Sequence, residues 1–156
     1  MDITVDVGNY KLNVRATGII IHNNKVLLHK NINEDHYALL GGRVEIGENS
    51  EDTIKREIKE ELGKDIEITG YVTTIENFFE MKKSKFHEIM FIYEVEFVEE
   101  QDKKIDYDLK NVEGKEYLKY EWVDIDKLEE YNLCPKVVKE ILKEGKYQAH
   151  MINIDE

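Results

Sequence analysis

The run from Gly42 to Gly63 constrains this chain more than any other segment. It reads Gly42-Arg43-Val44-Glu45-Ile46-Gly47-Glu48, then seven residues, then Arg56-Glu57-Ile58-Lys59-Glu60-Glu61-Leu62-Gly63. Ser50 or Asn49 can cap a helix here, Glu51 and Asp52 complement the dipole of its first turn, and Gly63 ends it as a C-terminal glycine cap. At about 100° per residue, Glu57 and Glu61 lie about 40° apart and Glu60 about 60° to the other side, so three carboxylates share one face. Ile54, Ile58 and Leu62 recur at i, i+4 and i+8 on a neighbouring stripe, which gives the helix a surface to bury while the acids face a cleft. The segment thus predicts one helix that packs and also presents a candidate divalent-metal site. A helix rich in Glu and Lys is ordinarily a solvated, salt-bridged face, but that reading explains neither the Gly41-Gly42 pair nor the spacing to Glu48.

The flanking chain alternates between strand and turn patterns. Val14 to Ile21 and Lys25 to Lys30, separated by His22-Asn23-Asn24, read as a hairpin. A polar loop from Asn31 to Asp35 leads to Tyr37-Ala38-Leu39-Leu40, a short strand expected to end in a Gly41-Gly42 turn. Residues 66 to 80 and 86 to 98 read as strands, the second alternating from Ile89 to Phe97 as a half-buried strand should. They join at Met81-Lys82-Lys83-Ser84-Lys85, whose three lysines read first as a solvated turn and second as a phosphate contact. Glu99 to Glu116 is polar and charge-mixed, a long loop. Tyr117 to Val123 is a further strand, Asp124 caps a short helical turn, and Pro135 opens a last helix to about Glu144. Val138, Ile141 and Leu142 form its apolar side, Gly145 closes it, and the final residues form a tail that either pairs or frays. Mixed strands around two main helices predict an α/β sandwich, with the glutamate helix and the C-terminal helix covering opposite sides of a mixed sheet. With no internal repeat and no interdomain linker, residues 1–156 read as a single domain.

Charge narrows the partners. The 34 acidic residues against 22 basic ones leave a formal net charge of −12, which disfavours extended nucleic acid held through its backbone. A small phosphorylated substrate is compatible, because a bound divalent cation inverts the local field around clustered acids. Cys134 is the single cysteine and cannot form an internal disulfide, and the start Met1-Asp2-Ile3-Thr4-Val5-Asp6 lacks a secretory pattern. A reducing, cytoplasmic setting is the expectation, with no membrane partner, since Gly18-Ile19-Ile20-Ile21 is only a strand-sized apolar piece.

The run from Gly42 to Lys64 resembles the signature of the Nudix hydrolases, G-x5-E-x7-R-E-U-x-E-E-x-G-U with U apolar. Gly42, Glu48, Arg56, Glu57, Glu60, Glu61 and Gly63 fill every fixed position. Lys64 departs where the family has an aliphatic residue, and Leu40 stands where relatives often carry proline. The resemblance implies an α-β-α sandwich with this box as loop-helix-loop. It implies Mg2+, with Mn2+ as an alternative, held by Glu57 and Glu61, by Glu60 directly or through water, and by the Gly42 carbonyl. Arg56 would orient these carboxylates, with Glu48 as its partner or as an outer-sphere acid. The implied reaction is attack of activated water on a nucleoside diphosphate linked to some group X, which includes nucleoside triphosphates and nucleotide sugars. The general base would be Glu57 or an acid outside the box, for which Glu88 is preferred over Glu76 and Glu80. Tyr37, Phe79 and His87 are the candidate substrate contacts, although aromatic residues at strand spacing are more often core. Family markers for ADP-ribose hydrolases (a proline) and dinucleoside polyphosphate hydrolases (a tyrosine) are absent from the stretch Phe79 to Lys82. Many relatives are homodimers, and the sequence shows no decisive interface patch. Two other readings stand beside the hydrolase: a catalytically silent nucleotide-binding sensor, which the intact glutamates oppose, and an RNA 5′-pyrophosphohydrolase, which the net charge opposes.

Overall fold

A computed structural model describes residues 1–104 and 108–155. In chain order the strands are β1 (Thr4–Val7), β2 (Tyr10–Ile19), β3 (Ile21–His22), β4 (Lys25–Asn31) and β5 (Ala38–Arg43). Helix α1 (Ser50–Leu62) follows, then β6 (Ile66–Met81), β7 (Ser84–Phe97), β8 (Leu118–Asp124), α2 (Val137–Glu144) and β9 (His150–Ile154). Three-ten turns occupy Glu100–Lys103 and Ile125–Glu130, the second capped by the Asp124 side chain. Of the loop expected from Glu99 to Glu116, residues 105–107 lie outside the described residues. Among the described residues no helix is long and apolar enough to cross a membrane.

The strands form one mixed sheet in the order β3-β4-β5-β2-β7-β6-β9, with β1 paired to β2 and β8 to β4. Pairing is parallel between β2 and β7 and between β6 and β9, and antiparallel elsewhere. The period-2 pattern of the strands creates two apolar faces. Ile19, Val26, Leu28, Leu39, Ile75 and Ile92 pack with Val138, Ile141 and Leu142 of α2. Their neighbours Ala16, Ile20, Leu27 and Leu40 pack on the opposite face with Ile54, Ile58 and Leu62 of α1. A one-residue step along a strand therefore changes which helix it meets, as the alternation requires. Each fully buried Ile or Leu contributes about 1.5–3 kcal/mol of transfer free energy, so both helices are fixed by their stripes.

Two expectations need correction. The hairpin through Asn23 and Asn24 exists, with both residues at positive φ, but its ladder is confined to β3 and the start of β4. The body of β2 pairs instead with β5 and β7, so it lies inside the sheet. Gly41 and Gly42 form no turn: both belong to β5 and pair with Thr17 and Ala16 of β2. A Cβ on Gly41 would sit 2.1 Å from the Ala16 carbonyl oxygen and 2.7 Å from Thr17 Cα. Close backbone approach, and not chain reversal, is what glycine supplies there. The reversal falls later, where the Glu48 amide bonds the Glu45 carbonyl at 3.0 Å and Gly47 takes φ 84°. The tail pairs: β9 extends the sheet along β6.

Because the contact at Gly41 is with backbone, no side-chain rearrangement relieves it. Gly41→Ala is expected to cost at least about 2 kcal/mol and to lower the thermal midpoint by at least about 4 °C. An unchanged midpoint in a thermal melt would show that the strands separate at no cost there.

Candidate active site

Helix α1 begins where Asn49 Oδ1 accepts from the Asp52 amide at 2.9 Å, and it ends at Gly63, whose φ of 70° lets its amide bond the Lys59 carbonyl. Between those caps, one guanidinium organises the acids. Arg56 grips Glu48 with two hydrogen bonds, Nε to Oε2 at 2.7 Å and Nη2 to Oε1 at 3.0 Å. Nη2 also bonds the Arg43 carbonyl at 3.1 Å, which ties the helix to the end of β5. Nη1 reaches Glu57 Oε1 at 3.0 Å and Glu60 Oε2 at 3.3 Å. Arg56 holds the Glu48 carboxyl down at about 2 against the opposing pull of burial, helped by the Thr53 hydroxyl at 2.7 Å and the Glu45 amide at 3.2 Å. Glu48 in turn raises Arg56 well above its ordinary value.

The remaining carboxylates are pushed the other way. Burial raises Glu57 above the ordinary carboxylate range, with Arg56 partly offsetting it. Burial, then the neighbouring charge of Glu57, pushes Glu61 up to about 8. Glu61 is 7% exposed, and its Oε2 is buried without a hydrogen-bond partner. An unpaired buried carboxylate oxygen is costly unless a cation or a proton satisfies it. Beside it, a Cβ on Gly42 would lie 2.3 Å from Glu57 Cδ, so the carboxylate rests directly on glycine backbone. Among the described residues no three acidic, His or Cys side chains converge as a formed metal cluster, since Arg56 draws Glu57 and Glu60 toward itself. The donor set, carboxylate and carbonyl oxygens with one orphaned oxygen, has the chemistry that hard divalent cations take.

Near the start of α2 lies a cavity of about 790 Å³. Its polar wall is built on the middle of the sheet. Glu88 on β7 is 3% exposed and accepts from Asn13 Nδ2 at 2.6 Å and Asn77 Nδ2 at 3.2 Å. Asn153 of β9 donates to Asn77 Oδ1 at 2.9 Å and accepts from the Val137 amide at 3.3 Å, linking the wall to the first turn of α2. Arg15 lines the same cavity with Nε 4.0 Å from Glu88 Oε2. His29, also in the lining, is lowered to about 4 by burial and then by Arg15 and His36, so it is neutral near pH 7.

The sequence candidates distribute unevenly over this geometry. Glu57, Glu60, Glu61, Arg56, Glu48 and Gly42 gather at α1 and the end of β5. Glu88, Phe79 and Glu80 line the cavity, as does Lys82 from the lysine tip. Tyr37 is outside the lining, packed edge-on against Tyr131 at 5.2 Å, with its phenol pushed up to about 12 by burial and Glu121. His87 is also outside it, with its ring 4.5 Å from that of Phe78. Glu76 bonds His150 at 2.8 Å, away from the cavity wall. Asn13, Arg15, Thr17, Asn77 and Asn153 were not singled out from the sequence. Their signal was nonetheless present, since Asn13, Arg15 and Thr17 alternate with Leu12, Val14 and Ala16 as a polar period-2 stripe within an apolar strand.

Glu48 gives the site a pH signature. Its folded value of about 2 lies below the ordinary 4.5. Its contribution is therefore fully present above the unfolded value and is lost as pH falls through the folded one. Wild type is expected to be more stable than Glu48→Gln at pH 7, with the gap narrowing as the medium is acidified from about pH 5 toward pH 2 in urea titrations. A gap of constant size across that interval would remove the charge-assisted pair from the account.

The NUDIX domain model matches residues 12–143. Similar solved structures include a MutT NUDIX hydrolase from Burkholderia pseudomallei, 22% identical over 85% of this chain and 96% of that one, with a TM-score of 0.62. An ADP-ribose pyrophosphatase from Streptococcus suis is 14% identical over 90% and 98%, with a TM-score of 0.59. A UDP-X diphosphatase is 20% identical over 89% of this chain, with a TM-score of 0.58, and the match spans 66% of that protein's length. No curated protein matches the sequence. With the family model running from within β2 to the last turn of α2 and covering every fixed position of the glutamate box, the chain belongs to the Nudix hydrolase family.

Proposed function

We propose that this Nudix pyrophosphohydrolase cleaves the pyrophosphate bond of a small nucleoside diphosphate linked to a group X, either a nucleoside triphosphate, ordinary or oxidised, or a nucleotide sugar. The observation that supports it best is the neighbourhood of two features. An acid cluster with an orphaned Glu61 oxygen lies within the electrostatic reach of Arg15, and Arg15 lines a cavity of about 790 Å³. That volume is in the range of small-molecule sites, about 300–1,000 Å³. Proteins named as a UDP-X diphosphatase and an ADP-ribose pyrophosphatase among the structural neighbours favour X groups of that size.

Glu57, Glu60, Glu61 and the Gly42 carbonyl would hold Mg2+, with Mn2+ as the alternative. A divalent cation bound there supplies Lewis-acid polarisation of phosphoryl oxygens and a more acidic water. Arg56 keeps Glu48 ionised and fixes the orientation of Glu57. The proton of the attacking water passes to Glu57 or to Glu88, which Asn13 and Asn77 hold in one orientation. Water oxygen bonds to one phosphorus, the bridging P–O bond breaks, and the products are a nucleoside monophosphate and phosphorylated X. A triphosphate yields monophosphate and pyrophosphate. The lone thiol of Cys134 suits a reducing, cytoplasmic setting.

Incubation with Mg2+ and a panel of nucleoside triphosphates, oxidised triphosphates, ADP-ribose, nucleotide sugars and dinucleoside polyphosphates, with products separated by chromatography, tests this. One class is expected to be cleaved, and Glu57→Gln is expected to lower kcat by about 100-fold or more. Full turnover in that variant would sink the role given to Glu57. Nucleotide binding without products would favour a silent sensor.

A further inference from the structure

Arg15 carries a charge that the packing around it leaves weakly paired. Its side chain is 26% exposed and lines the cavity. Among the described residues its guanidinium makes no hydrogen bond, and its one ion pair is the long 4.0 Å approach to Glu88. Glu88 does not depend on that approach, because Asn13 and Asn77 already occupy its two oxygens at 2.6 and 3.2 Å. An arginine carries five donors in a rigid fork and loses hydration when half buried. The donors of Arg15 remain open to solvent from the cavity and are available to a ligand there.

The surroundings point to an oxygen-rich ligand. Thr17 follows Arg15 on the same face of β2; its hydroxyl is buried without a partner, and it lines the cavity. His29 of β4, also in the cavity lining, is neutral near pH 7 and has a buried, unpartnered Nδ1. On its other side, Arg15 is close enough to act electrostatically on Glu57 and Glu61. Its backbone explains the placement, because Arg15 pairs with Arg43 at the end of β5 and with Met90 of β7. It thus stands at the junction between the acid cluster and the cavity.

We propose that Arg15 is a substrate-positioning residue that clamps a phosphoryl group of the pyrophosphate where it passes from the acid cluster into the cavity. Thr17 supplies a further donor. The inference rests on the hydrolase reading and assigns one residue to the cavity side of the scissile bridge. The guanidinium fork matches two oxygens of one phosphoryl group, a geometry that a lysine ammonium does not reproduce.

Calorimetric titration with imidodiphosphate, a non-hydrolysable P–N–P analogue, tests the clamp in Mg2+ and again in EDTA. Arg15→Lys retains a charge beside Glu88 and is expected to bind at least tenfold more weakly than wild type in both media, with KM for the cleaved substrate raised by a similar factor. Arg15→Met is expected to bind more weakly still. A counterion role for Glu88 alone predicts a lowered thermal midpoint with unchanged binding, and folded variants with wild-type affinity and KM overturn the proposal. Failure of wild type to bind the analogue in either medium also overturns it. If the substrate panel gives no hydrolysis while analogue binding is lost in both Arg15 variants, the clamp stands and the catalytic reading fails. Hydrolysis with indifferent Arg15 variants has the opposite meaning.

Discussion

Carboxylates crowded on one helical face repel one another, and the guanidinium of Arg56 is the interaction that lets Glu57 and Glu60 stand there side by side. Its bonds to Glu48, Glu57, Glu60 and the Arg43 carbonyl join the loop after β5 to the helix. The same residue sorts the acids into two kinds. Glu48 is paired so tightly that it stays ionised far into acid, whereas Glu61, beyond the reach of Arg56, is buried with an oxygen unspent. A single arginine thus separates a carboxylate held ionised in a salt bridge from one buried with an unpartnered oxygen.

The layout of the sheet determines where that chemistry faces. β5 divides its pairing, with Ala38 and Leu39 on β4 and Leu40 to Arg43 on β2. The two glycines in the second half press β5 against β2 and let Glu57 lie on the backbone. On the far side of β2, strand β7 runs parallel and places Glu88 opposite Asn13. The acid cluster and the polar wall are thus anchored to one strand, with Arg15 between them.

Much of this was legible in the sequence, for physical reasons that differ by residue. Helix α1, its caps and its acid face follow from periodicity and capping chemistry, which are local and strong. The half-buried character of β7 follows from its alternation between Ile89 and Phe97. The role of Gly41 and Gly42 was misread because a glycine pair signals a turn as readily as a close approach, and only the partner strand decides between them. The cavity wall was missed for a related reason. Asn77 and Asn153 are 76 residues apart, and no local pattern reports that a parallel edge strand will join them. Aromatic residues are ambiguous in the opposite sense, since the sequence does not report that the rings of Tyr37 and His87 pack on Tyr131 and Phe78, outside the cavity lining.

The wall of the cavity is stitched from distant parts of the chain: Asn13 meets Glu88 across a separation of 75 residues, and Asn77 meets Asn153 across 76. Closing such separations is slow, because chain entropy is lost before any contact compensates it. At a synthesis rate of about 5–20 residues per second, the early strands emerge seconds before β9. Through that interval Asn77 has no Asn153 to meet, and the first turn of α2 lacks its side-chain acceptor. During synthesis the wall of the cavity therefore stays incomplete until β9 has emerged, after every other strand of the sheet.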